Sequence, residues 1–223
     1  MIEVEHLSKA YPLDGRPVKA VDDVSLSIAQ GEFVSILGHS GSGKTTLLNL
    51  IGGLTRPEAG RVRIEGQDIW SLNDAELSRL RNEKMNFIFQ FASLIPTLNV
   101  VDNVLLPATF GRTQPAGLRD RALELLEMMG LSGKLTAYPA QLSGGQQRRV
   151  AISRAFINEP AIVLADEPTG DLDEDTEREV LALFRRVNEK QRTTFLIVTH
   201  SSELAAKTDR RFRMTAGRLA ETI

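Results

Sequence analysis

The chain has 223 residues, a net charge of −2 and 42% apolar side chains, enough for one large domain, or one domain with a sizeable insertion, around a full core. Near-balanced charge argues against a general nucleic-acid binder, which carries a basic excess. Cysteine is absent, which excludes disulfides and thiolate metal sites and suits a reducing compartment.

The opening stretch MIEVEHLSKAY lacks a basic start followed by an apolar run, so no signal peptide is expected. Nor does the sequence hold a run of 18 apolar residues, the least that reads as a membrane span. A soluble, cytoplasmic subunit is expected. Ile2, Val4 and His6 alternate with Glu3, Glu5 and Leu7, which predicts a strand with one buried face. PLDGRPV reads as a turn, and AVDDVSLSIAQGE as a second strand with a turn at Gly31. FVSILG is a short continuous apolar run, as in a strand buried on both faces. KTTLLNLIGGL predicts a helix that ends at its glycines, and PEAGRVRIEGQDI a hairpin of the early sheet.

From about Phe91 to Asn158 helices are expected to predominate, as an inserted helical subdomain (about 91–158) within a single domain of residues 1–223. RDRALELLEMMGL predicts a helix with Leu123, Leu126 and Met129 or Gly130 on its inner face, and RRVAISRAFI another. AIVLADEP and TFLIVTH are two further buried strands with polar ends. Strands alternating with helices predict an α/β fold with a mainly parallel sheet, beside an N-terminal antiparallel β subdomain. Ligands of such sheets sit beyond the carboxyl ends of the strands. The arginine pairs Arg148–Arg149, Arg185–Arg186 and Arg210–Arg211 read as solvated helix surface.

GHSGSGKT, Gly38 to Thr45, matches G-x-x-x-x-G-K-[ST] between a predicted strand and a predicted helix. The motif points backbone N–H groups inward around phosphate oxygens, at a helix N-terminus that adds partial positive charge. Gly38, His39, Ser40, Gly41, Ser42, Gly43, Lys44, Thr45 and Thr46 are the candidate nucleotide contacts; His39 occupies a variable position of the loop. Lys44 should reach the β- and γ-phosphates, and the Thr45 hydroxyl should coordinate Mg²⁺.

Asp166 and Glu167 end the strand AIVLADEP. One carboxylate there can hold Mg²⁺, directly or through water. The next can sit over the γ-phosphate and orient or deprotonate a water, since phosphoryl transfer is mostly positioning and charge stabilisation. His200 follows an apolar strand, where it could contact the γ-phosphate, and Gln90 closes FIFQ at the border of the helical part, where it could sense Mg²⁺ and the attacking water.

QLSGGQQRRVAISRAF, residues 141–156, places a serine and two glycines at the start of a helix, a second device for an anion. Together with the phosphate loop, ADEP and His200 in this order, it resembles the nucleotide-binding subunit of ABC transporters, over almost the whole chain from LSKAY to VTHSSELA. The resemblance implies that LSGGQ touches the γ-phosphate bound to a second subunit. Two copies would pack head to tail around two ATP molecules, with Ser143, Gly144, Gly145 and Gln146 completing the partner's site. Two phosphate devices too far apart for one ATP can then serve two. The resemblance also implies that Tyr11 stacks on adenine, that Asp173 lies in the loop crossing between subunits, and that Glu167 is the catalytic base.

IFQFASLIPTLNVVDNVLLP, YPAQLSGGQQRRVAISRAF and LADEPTGDLD resemble the lipoprotein-releasing, macrolide-efflux and haem-efflux branch. That branch implies a separate integral membrane permease with few spans, a peripheral location on the cytoplasmic face of the inner membrane, and export or extraction of a substrate. Asp171, Asn86 and QQRRVAIS depart from the branch's usual residues, and none of the three is expected to touch phosphate. Phe91, Leu94 and Ile95 are expected to line a groove for a cytoplasmic helix of the permease. A P-loop kinase or GTPase has no use for the signature helix, and the sequence holds no N-K-x-D guanine reader. ABC ATPases that act on DNA or ribosomes carry long coiled-coil insertions or paired cassettes, for which this chain is too short, and no nucleic-acid partner is expected.

Overall fold

A computed structural model describes residues 1–13, 15–111, 116–170 and 172–222; Asp171 lies outside the described residues. In chain order the strands are β1 (Ile2–Leu13), β2 (Arg16–Ile28), β3 (Phe33–Leu37), β4 (Ala59–Ile64), β5 (Gln67–Asp68), β6 (Met85–Ile88), β7 (Ile162–Asp166), β8 (Thr194–Thr199), β9 (Arg210–Thr215) and β10 (Arg218–Thr222). The helices are α1 (Lys44–Ile51), α2 (Asp74–Lys84), α3 (Val100–Leu105), α4 (Leu118–Met128), α5 (Gly144–Ala155), α6 (Glu174–Gln191) and α7 (Ser202–Ala206). An antiparallel sheet has the order β2-β1-β4-β5, and a second sheet the order β10-β9-β3-β8-β7-β6. In the second sheet every neighbouring pair is parallel except β10 with β9. This is the α/β architecture expected from the alternation of buried strands and helices.

The short apolar runs are buried on both faces for a visible reason. On β3, β7 and β8, alternate residues feed two different cores. Phe33, Val163, Ala165, Phe195 and Ile197 face helices α3 to α6. Val34, Ile36, Ile162, Leu164, Leu196 and Val198 pack with α1 and the antiparallel sheet. Between β6 and β7 the regular elements are α3, α4 and α5, with short 3-10 turns.

Three expectations need correction. Along β1 the alternation breaks: Leu7 is buried and His6 is exposed. The register of β1 against β2 shifts between Val4 and Leu7, and His6 adopts φ 49°. A bulge of this kind moves the following residues to the other face. It also needs close backbone approach, since a Cβ on Gly60 would lie 2.4 Å from the His6 carbonyl oxygen. On α4 the inner face is Ala122, Leu125 and Leu126, continued by Met129, while Leu123 is half-buried and Gly130 exposed. This is the i, i+3, i+4, i+7 stripe, shifted by one residue.

The arginine pairs are not all solvated surface either. Arg148 is buried, and Arg149 donates to the Met129 carbonyl at 2.9 Å. Arg185 pairs with Asp209 at 2.9 Å and lies 4.7 Å from the Phe33 ring centroid. Arg210 stands on a strand and joins Glu32 and Glu221 at 3.0 Å each. Arg186 is exposed on helix α6, as expected, whereas Arg211 is exposed on strand β9.

Candidate functional site

The phosphate loop links the carboxyl end of β3 to α1. Its glycines are demanded by geometry at two places. Gly43, the N-cap of α1, has φ 105°, and a Cβ there would lie 1.9 Å from the Ala20 carbonyl oxygen. A Cβ on Gly38 would lie 2.6 Å from both the Met214 carbonyl oxygen and Ser42 Oγ. The loop is thus pressed from below by β2 and by the C-terminal hairpin, whose Gly217 N–H also donates to the Ser42 carbonyl at 3.0 Å. No sequence motif marks this hairpin as part of the site.

No side chain caps α1, so the N–H groups of its first turn remain available to a ligand. The buried Lys44 ammonium donates to the carbonyls of Gly38 at 2.7 Å and His39 at 3.1 Å. Ser42 Oγ is buried without a hydrogen-bond partner among the described residues.

Above the loop opens a cleft of about 580 Å³. It is lined by Ala20, residues 39–46, Gln90, Arg148, Asp166, Glu167, Gly170 and His200. The structure thus brings together the loop residues and the four polar side chains expected beside them, Gln90, Asp166, Glu167 and His200. Arg148 and Gly170 were not anticipated. In particular, the departure QQRRVAIS does fall at the cleft, because Arg148 reaches back from α5 to the end of β6. The one sequence signal for it is a charge placed among apolar positions of a helix.

Asp166 is buried at the end of β7. Burial pushes its carboxyl above the ordinary range; a hydrogen bond with Thr45 and the charges of Lys44 and Arg148 work in the opposite direction, while the neighbouring Glu167 adds to the rise. Thr45, Gln90 and Asp166 offer a hydroxyl, an amide carbonyl and a carboxylate, the hard oxygen donors that suit Mg²⁺ shared with phosphate and water.

Glu167 adopts φ 46°, a left-handed conformation that costs a non-glycine residue about 1–3 kcal/mol. Its carboxylate is held at both oxygens. Thr199 Oγ1 donates to Oε2 at 2.9 Å, and His200 Nδ1 lies 2.9 Å from Oε1. The Glu167 side chain is 13% exposed and that of His200 68%, so the histidine forms the open rim and the glutamate the wall. With Nδ1 directed at the carboxylate, His200 keeps Nε2 for a ligand.

The remaining predicted residues lie outside this cleft's lining. Ser143 caps α5: its hydroxyl accepts from Gln146 N–H at 3.3 Å, while Gln146 Oε1 accepts from Ser143 N–H at 3.0 Å. A Cβ on Gly144 would meet nothing within 4 Å, and one on Gly145 only Leu172 at 3.7 Å. Asp173 caps α6, accepting from Thr176 N–H at 2.9 Å and Thr176 Oγ1 at 2.8 Å. These two bonds hold its carboxyl below the ordinary range. Tyr11 is exposed on β1 opposite Val18, with the Lys9 ammonium 5.5 Å from its ring. Phe91 is 75% and Ile95 40% exposed, but Leu94 is half-buried and packs against the helical core. The three therefore do not form one open apolar face.

The family model described as ABC transporter matches residues 21–170. The lipoprotein-releasing system ATP-binding protein LolD of Bordetella pertussis is 44% identical over 218 residues, which cover 98% of this chain and 94% of that protein. The macrolide export ATP-binding/permease protein MacB of Rhodopirellula baltica is 43% identical over 226 residues, covering 100% of this chain and 33% of that protein. Among solved structures, the dimeric post-hydrolysis state of the ATP-binding cassette MJ0796, bound to ADP and Pi, superposes with a TM-score of 0.94 at 41% identity. It covers 100% of this chain and 98% of that one. A second dimeric structure of MJ0796, a bacterial ABC transporter cassette, gives 0.95 at 42% identity over the same shares.

Proposed function

The chain belongs to the ABC transporter family as an ATP-binding, ATP-hydrolysing subunit, and on that premise we propose how its residues bind and hydrolyse ATP and what they drive. The chain works as one ATPase domain with its helical part, about residues 91–158, as an inserted subdomain. ATP phosphates enter the cleft over the amides of residues 39–46, and the Lys44 ammonium turns from the Gly38 and His39 carbonyls to the β- and γ-phosphates. Tyr11 stacks on the adenine. Thr45, Gln90 and Asp166 hold Mg²⁺ or its waters. When bound, the ion neutralises charge building on the phosphate oxygens.

The observation that carries this reading is the Glu167 carboxylate, fixed by Thr199 and His200 in the same cleft as Lys44. A water between that carboxylate and the γ-phosphorus gives its proton to Glu167 as its oxygen bonds to phosphorus. The β–γ bridge then breaks to leave ADP and phosphate. His200 Nε2 and Gln90 steady the γ-phosphate and the water.

Ser143, Gly144, Gly145 and Gln146 complete the cleft of a second copy, and Asp173 lies at the crossing between the two. Support comes from the open space in front of Gly144 and from the dimeric state of the matched cassette structures. The dimer drives an integral permease with few spans at the cytoplasmic face of the inner membrane, for export or extraction. No described helix is long and apolar enough to cross a membrane itself.

Docking of the permease falls beside Gln90. Phe91 and Ile95 are exposed there, and Phe89 stacks on Phe87 at 5.3 Å beside a cleft bounded by Leu54 and Phe110. Because Leu94 is partly core, Phe91→Asp is the clean test. It should abolish co-purification with a co-expressed permease of this family while leaving ATP affinity and thermal stability unchanged. Retained co-purification would place the permease elsewhere.

A further inference from the structure

The segment that carries Gln90 into the cleft has no regular secondary structure between the end of β6 and the start of α3. Two arginines of α5 hold it instead. Arg148 Nη1 donates to the Phe89 carbonyl at 2.6 Å. Arg154 donates to the Ala92 carbonyl at 2.8 Å and to the Ser93 carbonyl at 2.9 Å. The two grips bracket Gln90 and Phe91, one on each side. The far grip holds a strained residue, since Ser93 has φ 46°. The near grip is the one at the reaction site. Arg148 is 3% exposed and lines the phosphate cleft, and its charge also acts on Asp166.

A charge-assisted hydrogen bond to a carbonyl is short, directional and strong in a buried setting. Because the peptide unit is planar, fixing the Phe89 carbonyl also fixes the Gln90 N–H and the Cα from which the Gln90 side chain departs. Arg148 lies within the first turns of the helix that Ser143 caps. A shift or rotation of α5 therefore pulls on the Phe89–Gln90 peptide directly, with no flexible linker between.

We propose that Arg148 is a positioning residue that ties the Phe89–Gln90 peptide to the helix carrying Ser143–Gly145, so that Gln90 in one cleft and the serine–glycine face offered to the other move together. The proposal rests on the reading of Gln90 as the contact to metal and attacking water. It adds that the placing of Gln90 is set by α5 and not by β6 alone.

The test uses the full chain with Arg148→Met, Arg148→Lys and Gln90→Ala, alone and combined. Backbone amide order parameters are measured by NMR relaxation without nucleotide, and ATPase kinetics with Mg²⁺–ATP. Arg148→Met should lower the order parameters of amides 90 and 91 from about 0.85 to below about 0.6, while amides 150–155 of α5 stay at about 0.85. Arg148→Lys should restore part of the order. Arg148→Met should lower kcat by about tenfold, with KM for ATP within about twofold because the phosphate loop is intact. In the Gln90→Ala background it should lower kcat no further, as expected for residues acting through one contact. Unchanged order parameters at 90 and 91 overturn the proposal. So does a full further loss in the double variant, which would mean that Arg148 acts on the phosphate itself. If Gln90→Ala alone leaves turnover intact, the role given to Gln90 fails, and the order parameters still decide whether Arg148 holds the segment. Should Arg148→Met not fold, the same comparison on Arg148→Lys, between amides 90–91 and 150–155, decides the matter.

Discussion

Helices α1 and α5 both begin at glycine-rich sequences, yet their N-termini are built differently. At α1 the N-cap is Gly43 in a left-handed conformation, no side chain satisfies the first amides, and the surrounding loop closes a cleft with a buried lysine. At α5 the N-cap is Ser143, a reciprocal pair with Gln146 satisfies two amides, and the space before Gly144 is open. The first has the contacts a phosphate receptor needs. The second, on the proposed reading, is half of one: it is ordered by its own capping box, presents small residues, and a Cβ on Gly144 would meet nothing within 4 Å among the described residues. A helix N-terminus binds an anion only when something else supplies the remaining contacts, and the proposed source of them is a second copy.

The difference can be broken from the α1 side with the largest effect. Lys44→Ala should weaken ATP binding to the isolated chain by about 100-fold, the loss of about 3 kcal/mol for a buried charge on phosphate, read by nucleotide titration. A change of only a few-fold would mean that the loop amides alone carry the affinity. Glu167→Gln sharpens the contrast: it should keep ATP binding while lowering turnover by about 10²- to 10⁴-fold, the range for a positioned general base. Steady-state ATPase within a few-fold of the parent would remove Glu167 from that role.

Asp166→Asn has the smallest expected effect. Burial raises the Asp166 carboxyl in the folded chain, so the fold favours the protonated form and ionisation costs stability as pH rises through the folded value. The asparagine variant should therefore melt higher at neutral pH without nucleotide, by about 2 °C on a scale of about 2–4 °C per kcal/mol. The advantage should fade below about pH 4, where the unfolded carboxyl is also protonated. A lower melting temperature at neutral pH would mean that Thr45, Lys44 and Arg148 together outweigh burial.

Features that lie within a few consecutive residues were legible in the sequence. The phosphate loop between β3 and α1, the acids ending β7 and the doubly buried strands each combine a local pattern with one physical requirement. What escaped depended on contacts between distant positions. Arg148 reads as surface until the Phe89 carbonyl, 59 positions earlier, is seen to hold it. His6 fits an alternating strand until Gly60 allows the bulge. The β9–β10 hairpin under the phosphate loop shows itself only through Met214 and Gly217 meeting Gly38 and Ser42. Helix α6 is a different case. Its buried Val180, Phe184 and Val187 repeat at helical spacing, so the signal was present and local.

The claim that the serine–glycine face completes a partner's cleft is tested most directly by Ser143→Arg placed in the Glu167→Gln background. Nucleotide affinity is measured by titration and mass by light scattering, with ATP and with ADP. The account predicts near-normal ATP affinity per chain, an ATP-dependent dimer with Ser143 intact, no such dimer with arginine there, and no dimer with ADP in either case, because ADP lacks the phosphate that the two halves share. Loss of ATP binding by a correctly folded Ser143→Arg chain would mean that the face acts within its own subunit, and would contradict the account.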